Sequence, residues 1–168
     1  MRLSVDRINE KSPYWVLQLS DMQFRFITRN GIVYRVGFYP DEYFMKDKAY
    51  QFFIDNVDEV RAPKDTNVYK VIAVILEEFF NYDSSVMLYI CDPRDKRESV
   101  RAALYKRWFD NYSQRDKLTL RDAELNFKGY IVYSGMILRK DNPEYQKIVS
   151  DFDDFVARVP SIYNVNPK

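Results

Sequence analysis

Apolar residues recur along this chain with two periods, and the order of those periods lays out its elements. Residues 14–19 (YWVLQL) read as a strand with Trp15, Leu17 and Leu19 on one face. Residues 22–28 alternate Met22, Phe24 and Phe26 against Gln23 and Arg25. Residues 32–38 alternate Ile32, Tyr34, Val36 and Phe38 against Arg35 and Gly37. A period of two marks strands with one buried face. Register then decides the turn between them. A two-residue Asn30-Gly31 turn would set Phe26 opposite Arg35 and Phe24 opposite Gly37. A three-residue loop, Arg29-Asn30-Gly31 with Gly31 left-handed, sets Phe26 opposite Tyr34 and Phe24 opposite Val36, which keeps the large apolar residues on one side. The three-residue loop is therefore expected.

Pro40-Asp41-Glu42 breaks the pattern and residues 49–57 resume it as a strand. A helix is predicted from Thr66 or Asn67 to Tyr82, with Val68, Val71, Ile72, Ile75, Leu76 and Phe79 facing inward. Residues 86–91 (VMLYIC) form a short apolar run that suits a strand buried on both faces. The register changes after it. Asp92 fits an N-cap, Pro93 the first helical position and Asp95 the first turn. Val100, Leu104 and Trp108 follow at every fourth residue beside Ala103, with Arg94, Arg97 and Arg101 on a neighbouring face.

Residues 118–127 and 130–139 read as a hairpin about Lys128-Gly129, its first strand interrupted by Arg121, Asp122 and Glu124. Asn142-Pro143 repeats the cap-then-proline signature and opens a helix to residue 159. Ile148, Phe152, Phe155 and Val156 form its apolar face and Asp151, Asp153 and Asp154 its acidic one. The expected fold class is α+β: an antiparallel or mixed sheet of about six or seven strands, with three helices packed mainly on one face. A single domain over residues 1–168 is expected, with residues 1–12 a loose lead-in and 160–168 a tail.

Composition narrows the chemistry. Aromatic residues make up 17% of the chain, including 14 Tyr and 12 Phe, which points to a sheet-rich core or an aromatic binding surface. A net charge of +1 supplies no global field for nucleic acid or a membrane surface. The one cysteine precludes an internal disulfide and fits a reducing cytoplasm. The first residues are not followed by an apolar signal core, and no apolar run is long enough for a membrane span. With no histidine, Ser-His-Asp and Cys-His catalysis and histidine metal sites are excluded. The four glycines form no phosphate-cradling pattern. No cofactor and no metal site are expected.

The best candidate ligand site is the strand-to-helix junction: Cys91, Asp92, Asp95, Arg97 and Arg101. A helix start favours anions and can lower a thiol pKa, and the two arginines can meet a phosphate or carboxylate. The competing structural account has Asp92 capping, Cys91 packing as a small hydrophobe and the arginines pairing with Asp95 and Glu98, and it outweighs the functional one. Arg94, Tyr105, Arg107 and Trp108 form a candidate interaction surface. Cations interleaved with rings there suit single-stranded nucleic acid, but Asp95, Glu98 and Asp110 dilute the charge, and apolar spacing assigns Trp108 to the core. Glu77-Glu78, Asp122/Glu124 and Asp151/Asp153/Asp154 read as solvated faces rather than as a catalytic pair or a metal site.

At Tyr89-Ile90-Cys91-Asp92-Pro93 through Arg107-Trp108-Phe109 the chain resembles an uncharacterised family of small Bacteroides-type bacterial proteins, a domain of unknown function. The likeness is the pattern Cys-Asp, a second Asp three residues on, then an arginine, then an Arg-Trp-Phe ending; it continues at Ser134, Ile137 and Asp141-Asn142-Pro143. The resemblance implies the fold and a bacterial cytosolic setting, and it assigns no catalytic residue.

Three functions follow, in this order. The first is a non-enzymatic cytoplasmic module that binds a protein partner or a second copy of itself, since rings are favoured at interfaces. The second is an anion or nucleotide site at Cys91 to Arg101, with or without catalysis. The third is single-stranded nucleic-acid binding.

Overall fold

The computed structural model describes the whole chain except residues 43, 46, 47, 82–84, 92–95, 128, 129 and 163–168. For residues 127, 130 and 159–162 it describes the backbone alone. The fold is α+β. Helix α1 (Val5–Lys11) leads into strands β1 (Val16–Ser20), β2 (Gln23–Ile27), β3 (Val33–Pro40) and β4 (Ala49–Asn56). Then come α2 (Thr66–Phe79), β5 (Val86–Cys91), α3 (Glu98–Asp110), β6 (Leu118–Phe127), β7 (Tyr130–Arg139) and α4 (Tyr145–Ile162). The strands form a seven-stranded mixed sheet in the order β1-β2-β3-β4-β5-β7-β6. β4 and β5 run parallel, a pairing that needs a long crossover, and α2 lies in it. The helices number four rather than three, because residues 5–11 of the expected lead-in are helical. Ser4 caps α1 by accepting from the Arg7 N–H, and Ile8 anchors it in the core.

Two compact units divide the chain: Met1–Tyr39 with Phe52–Tyr82, and Pro40–Gln51 with Asp83–Lys168. In the first, the β2–β3 register pairs Phe24 with Val36 and Phe26 with Tyr34, and Gly31 sits at φ 75°, as the three-residue loop requires. Phe24, Phe26, Val36 and Phe38 are buried together with Val71, Ile72, Ile75 and Phe79 of α2, and the Phe38 and Phe79 rings stack 4.2 Å apart. Helix α2 opens at Thr66, as expected, and Asp65 caps it. Its Oδ1 accepts from the Asn67 N–H and its Oδ2 from the Tyr14 hydroxyl.

The stripe of Trp15, just before β1, and Leu17 and Leu19 within it is turned to solvent rather than to the core. Trp15 is 72% exposed, Leu17 49% and Leu19 52%, while Val16 between them is buried. The register explains the choice. Val16 pairs with the buried Phe26, so Leu17 falls beside the exposed Arg25.

In the second unit β5 is buried as expected, except for the exposed Ile90. Its partner β7 sets Val86 opposite Leu138 and Leu88 opposite Met136. These four residues with Ala123, Leu125, Ile148 and Phe152 form a core against α4. Asn142 lies just before that helix, accepting the Glu144 N–H at 2.8 Å, and α4 itself begins at Tyr145 rather than at the expected Pro143. The alternate residues of the same strands face α3, where the Tyr89 and Tyr105 rings meet edge to face. Thus α3 and α4 flank these strands on opposite faces rather than sharing one.

Helix α3 departs most from expectation. It begins at Glu98 with Arg97 at the N-cap, five residues after Pro93, and Lys96 just before it is left-handed at φ 56°, which no α-helix accommodates. None of its residues is fully buried; Val100 and Ala103 are exposed, and Leu104 and Trp108 are half-buried. The four-residue stripe is therefore not a core face. The expected cap at Asp92, Pro93 and Asp95 lies outside the described residues.

Candidate functional site

Of the sequence-predicted junction, Cys91, Arg97 and Arg101 are among the described residues. Cys91 ends β5 fully buried, and burial pushes its thiol up to about 11, opposed by Arg101 and helped by Glu98. A lowered thiol pKa is thus corrected: the sulfur is screened from water, where a thiolate would need solvation or a close cation. The Cys91 thiol therefore senses both Arg101 and Glu98, while Arg97 is exposed at the start of α3. Asp92, Arg94 and Asp95 lie outside the described residues. On the candidate interaction surface, Tyr105 and Trp108 are half-buried with ring centroids 5.7 Å apart, and Arg107 is exposed.

A more complete constellation begins two residues upstream of Cys91, at Tyr89, between α3 and the sheet. A cleft of about 430 Å³ opens there. Its α3 wall consists of Ser99, Ala102, Ala103 and Lys106, spaced i, i+3, i+4 and i+7 on one helix face. Three of these four are small, so little side-chain volume fills the gap. The sheet wall carries Tyr89 of β5, Tyr133 of β7, and Asp122 and Glu124 of β6. Asp122 and Glu124 are two residues apart in a strand and so share a face. The β6–β7 register places Glu124 opposite Tyr133 and Asp122 opposite Gly135.

Gly135 is required by that arrangement. It pairs with Tyr89 across β5 and β7, and a Cβ at 135 would fall inside the Tyr89 ring. The space left lets the ring lie over the strand, where its hydroxyl donates to Asp122 Oδ1 at 2.5 Å. Burial, the hydrogen bond to Asp122 and that carboxylate's charge all hold the Tyr89 phenol protonated far above its ordinary range. Asp122 Oδ2 faces the Lys106 ammonium at 3.7 Å, an ion pair open to water on both sides. The site can hold a charged small molecule against two rings and two carboxylates. Among the described residues, no cluster of three or more Cys, Asp or Glu side chains could hold a metal ion.

Sequence reasoning missed this cleft. Asp122 and Glu124 were visible as interruptions in a strand, but their alternation is equally that of a solvated face, and nothing local ties them to Tyr89, 33 residues earlier. A buried carboxylate was missed as well. Glu78 of α2 is buried and accepts from the Ser4 N–H at 2.9 Å and from the Arg7 guanidinium at 2.6 and 3.0 Å.

Comparison with known protein families shows a match over half of the chain. Residues 64–154 match the model described as Family of unknown function (DUF6169), a span that runs from before α2 into α4 and contains every residue of the cleft. No curated protein matches the chain. Among the described residues, no helix is long and apolar enough to cross a membrane.

Proposed function

The chain belongs to this family of unknown function, and from that premise we propose that it acts as a cytoplasmic interaction module, docking a second copy of itself through the outer face of β1 and β2. The observation that supports this reading is the exposed set of Trp15, just before β1, and Leu17 and Leu19 on it, joined by Ile27 of β2 at 49% exposure. Single exposed apolar residues are ordinary, whereas a contiguous row of large ones marks an interaction surface. Arg25 stands beside Leu17 on the same face, and Trp and Arg are the residue types that dominate binding energy at interfaces.

Strand addition at the β1 edge is a poor alternative. The Asn9 side chain of α1 donates to the Val16 carbonyl at 2.9 Å and accepts the Val16 N–H at 2.8 Å, so the edge is already occupied there. Face-to-face packing needs no free backbone. Two sheets stack about 10 Å apart through their apolar faces, and a two-fold axis makes one such face the complement of itself.

Sedimentation and light scattering on the full chain test this. The expected result is a dimer that Leu17→Glu converts to a monomer while the melting temperature stays within the range of a surface change. A wild-type chain that is monomeric at concentrations approaching millimolar, where even weak interfaces assemble, overturns it.

A further inference from the structure

We propose that the cleft between α3 and strands β5, β7 and β6 binds a small organic primary ammonium ion, whose –NH3⁺ takes the place beside Asp122 now filled by Lys106. The proposal is independent of the docking face on β1 and β2. Three features of the cleft carry it.

The first is space. Ser99, Ala102 and Ala103 leave the α3 wall without bulk, and the resulting volume of about 430 Å³ admits a short aliphatic chain with its charged end. The second is charge. Asp122 and Glu124 stand on one face of β6 against the single cation Lys106, so the lining carries one net negative charge and favours a cation over an anion. The aromatic side chains of Tyr89 and Tyr133 also line the cleft.

The third is the division of labour within Asp122. Its Oδ1 is held by the Tyr89 hydroxyl at 2.5 Å, which orients the carboxylate from the largely buried strand β5. Its Oδ2 meets Lys106 at 3.7 Å, beyond hydrogen-bonding distance, and the Lys106 side chain is 60% exposed. Lys106 is thus a tethered primary ammonium loosely seated in the position a free one would occupy. A free ammonium, without the constraint of the helix, can close to full charge-assisted hydrogen-bond distance and turn its three donors to Asp122 and Glu124. Lys106 then swings into water, at little cost for an exposed ion pair.

The probe is 1,5-diaminopentane, titrated into the full chain and followed by two-dimensional NMR at the amides of residues 89, 102, 122 and 124. Saturable shifts at these positions are expected. Lys106→Met removes the tethered competitor and is expected to tighten binding about two- to fivefold, the worth of an exposed ion pair. Asp122→Asn keeps an acceptor for the Tyr89 hydroxyl but loses the charge, and is expected to weaken binding about tenfold or more. Glu124→Gln, at an exposed position, serves the same purpose if Asp122→Asn does not fold, with a smaller loss. Absence of localised shifts in both the wild type and Lys106→Met overturns the proposal. So does equal affinity of those two proteins, or binding that survives both carboxylate changes.

Discussion

Glu78 shows how one buried charge can be held by the segment it anchors. Burial alone would raise its pKa, but the Arg7 guanidinium, the Ser4 N–H and the Asn81 amide together hold its carboxyl below the usual 4.5. A carboxylate whose folded pKa is lowered adds stability that is fully present above the unfolded value and is lost as pH falls through the folded one. Arg7→Met is therefore expected to cost about 1–3 kcal/mol at pH 7, the range for a hydrogen bond to a buried charge. The cost should shrink at acid pH, below the lowered folded pKa of Glu78, where the carboxylate is protonated. Urea unfolding at pH 7 and at acid pH checks this, and an equal loss at both would mean that Arg7 acts through packing instead. Cys91 shows the opposite logic. With its thiol raised to about 11 by burial, it serves as core filling.

The pairing of β5 with β7 illustrates how an element is tuned by what it omits. Tyr89 can reach Asp122 only because Gly135 has no side chain in the way. Gly135→Ala is expected to displace the ring, break the Tyr89–Asp122 hydrogen bond and destabilise the protein by about 1–3 kcal/mol, the usual cost of forcing a methyl into a filled site. Thermal melting and the chemical shifts of residues 89 and 122 report both effects, and a neutral substitution with unmoved shifts would contradict the close approach. Helix α3 is the counterpart. Its apolar residues at 100, 104 and 108 suggested a core stripe, yet the face turned to the cleft is 99, 102, 103 and 106. What α3 contributes there is room and a cation rather than buried area.

Across the whole chain, the family match and the folding units do not coincide. Residues 64–154 include α2, but the buried face of α2 lies with β1–β3 residues in the unit formed by Met1–Tyr39 and Phe52–Tyr82. They include β5 but not Ala49, Tyr50 and Gln51 of β4, which pair with Val86, Met87 and Leu88. A fragment of residues 64–154 would expose the apolar side of α2 and an unpaired edge of β5, and large exposed surfaces of this kind are not stable alone. That fragment is expected to show no cooperative thermal transition, whereas the full chain shows one; circular dichroism against temperature distinguishes the two, and a cooperative melt of the fragment would refute the expectation.

Local pattern determined most of the elements. Alternation at 22–28 and 32–38, together with the need to keep Phe24, Phe26, Tyr34 and Val36 on one side, set the register and the left-handed Gly31, because a one-residue slip inverts every side chain. The apolar spacing of α2 and α4 and the Asn142 hydrogen bond just before α4 were equally local. Tertiary structure alone decided which of two plausible faces is buried. Trp15, Leu17 and Leu19 lost the core to Val16 through pairing with β2, and α3 was left partly exposed. It alone also brought Glu78 to Arg7, and Tyr89 and Lys106 to Asp122, across as many as 71 residues. Periodicity reports a residue's neighbours on its own element. The partner that satisfies a buried charge or frames a cleft comes from another element, and only the folded chain specifies it.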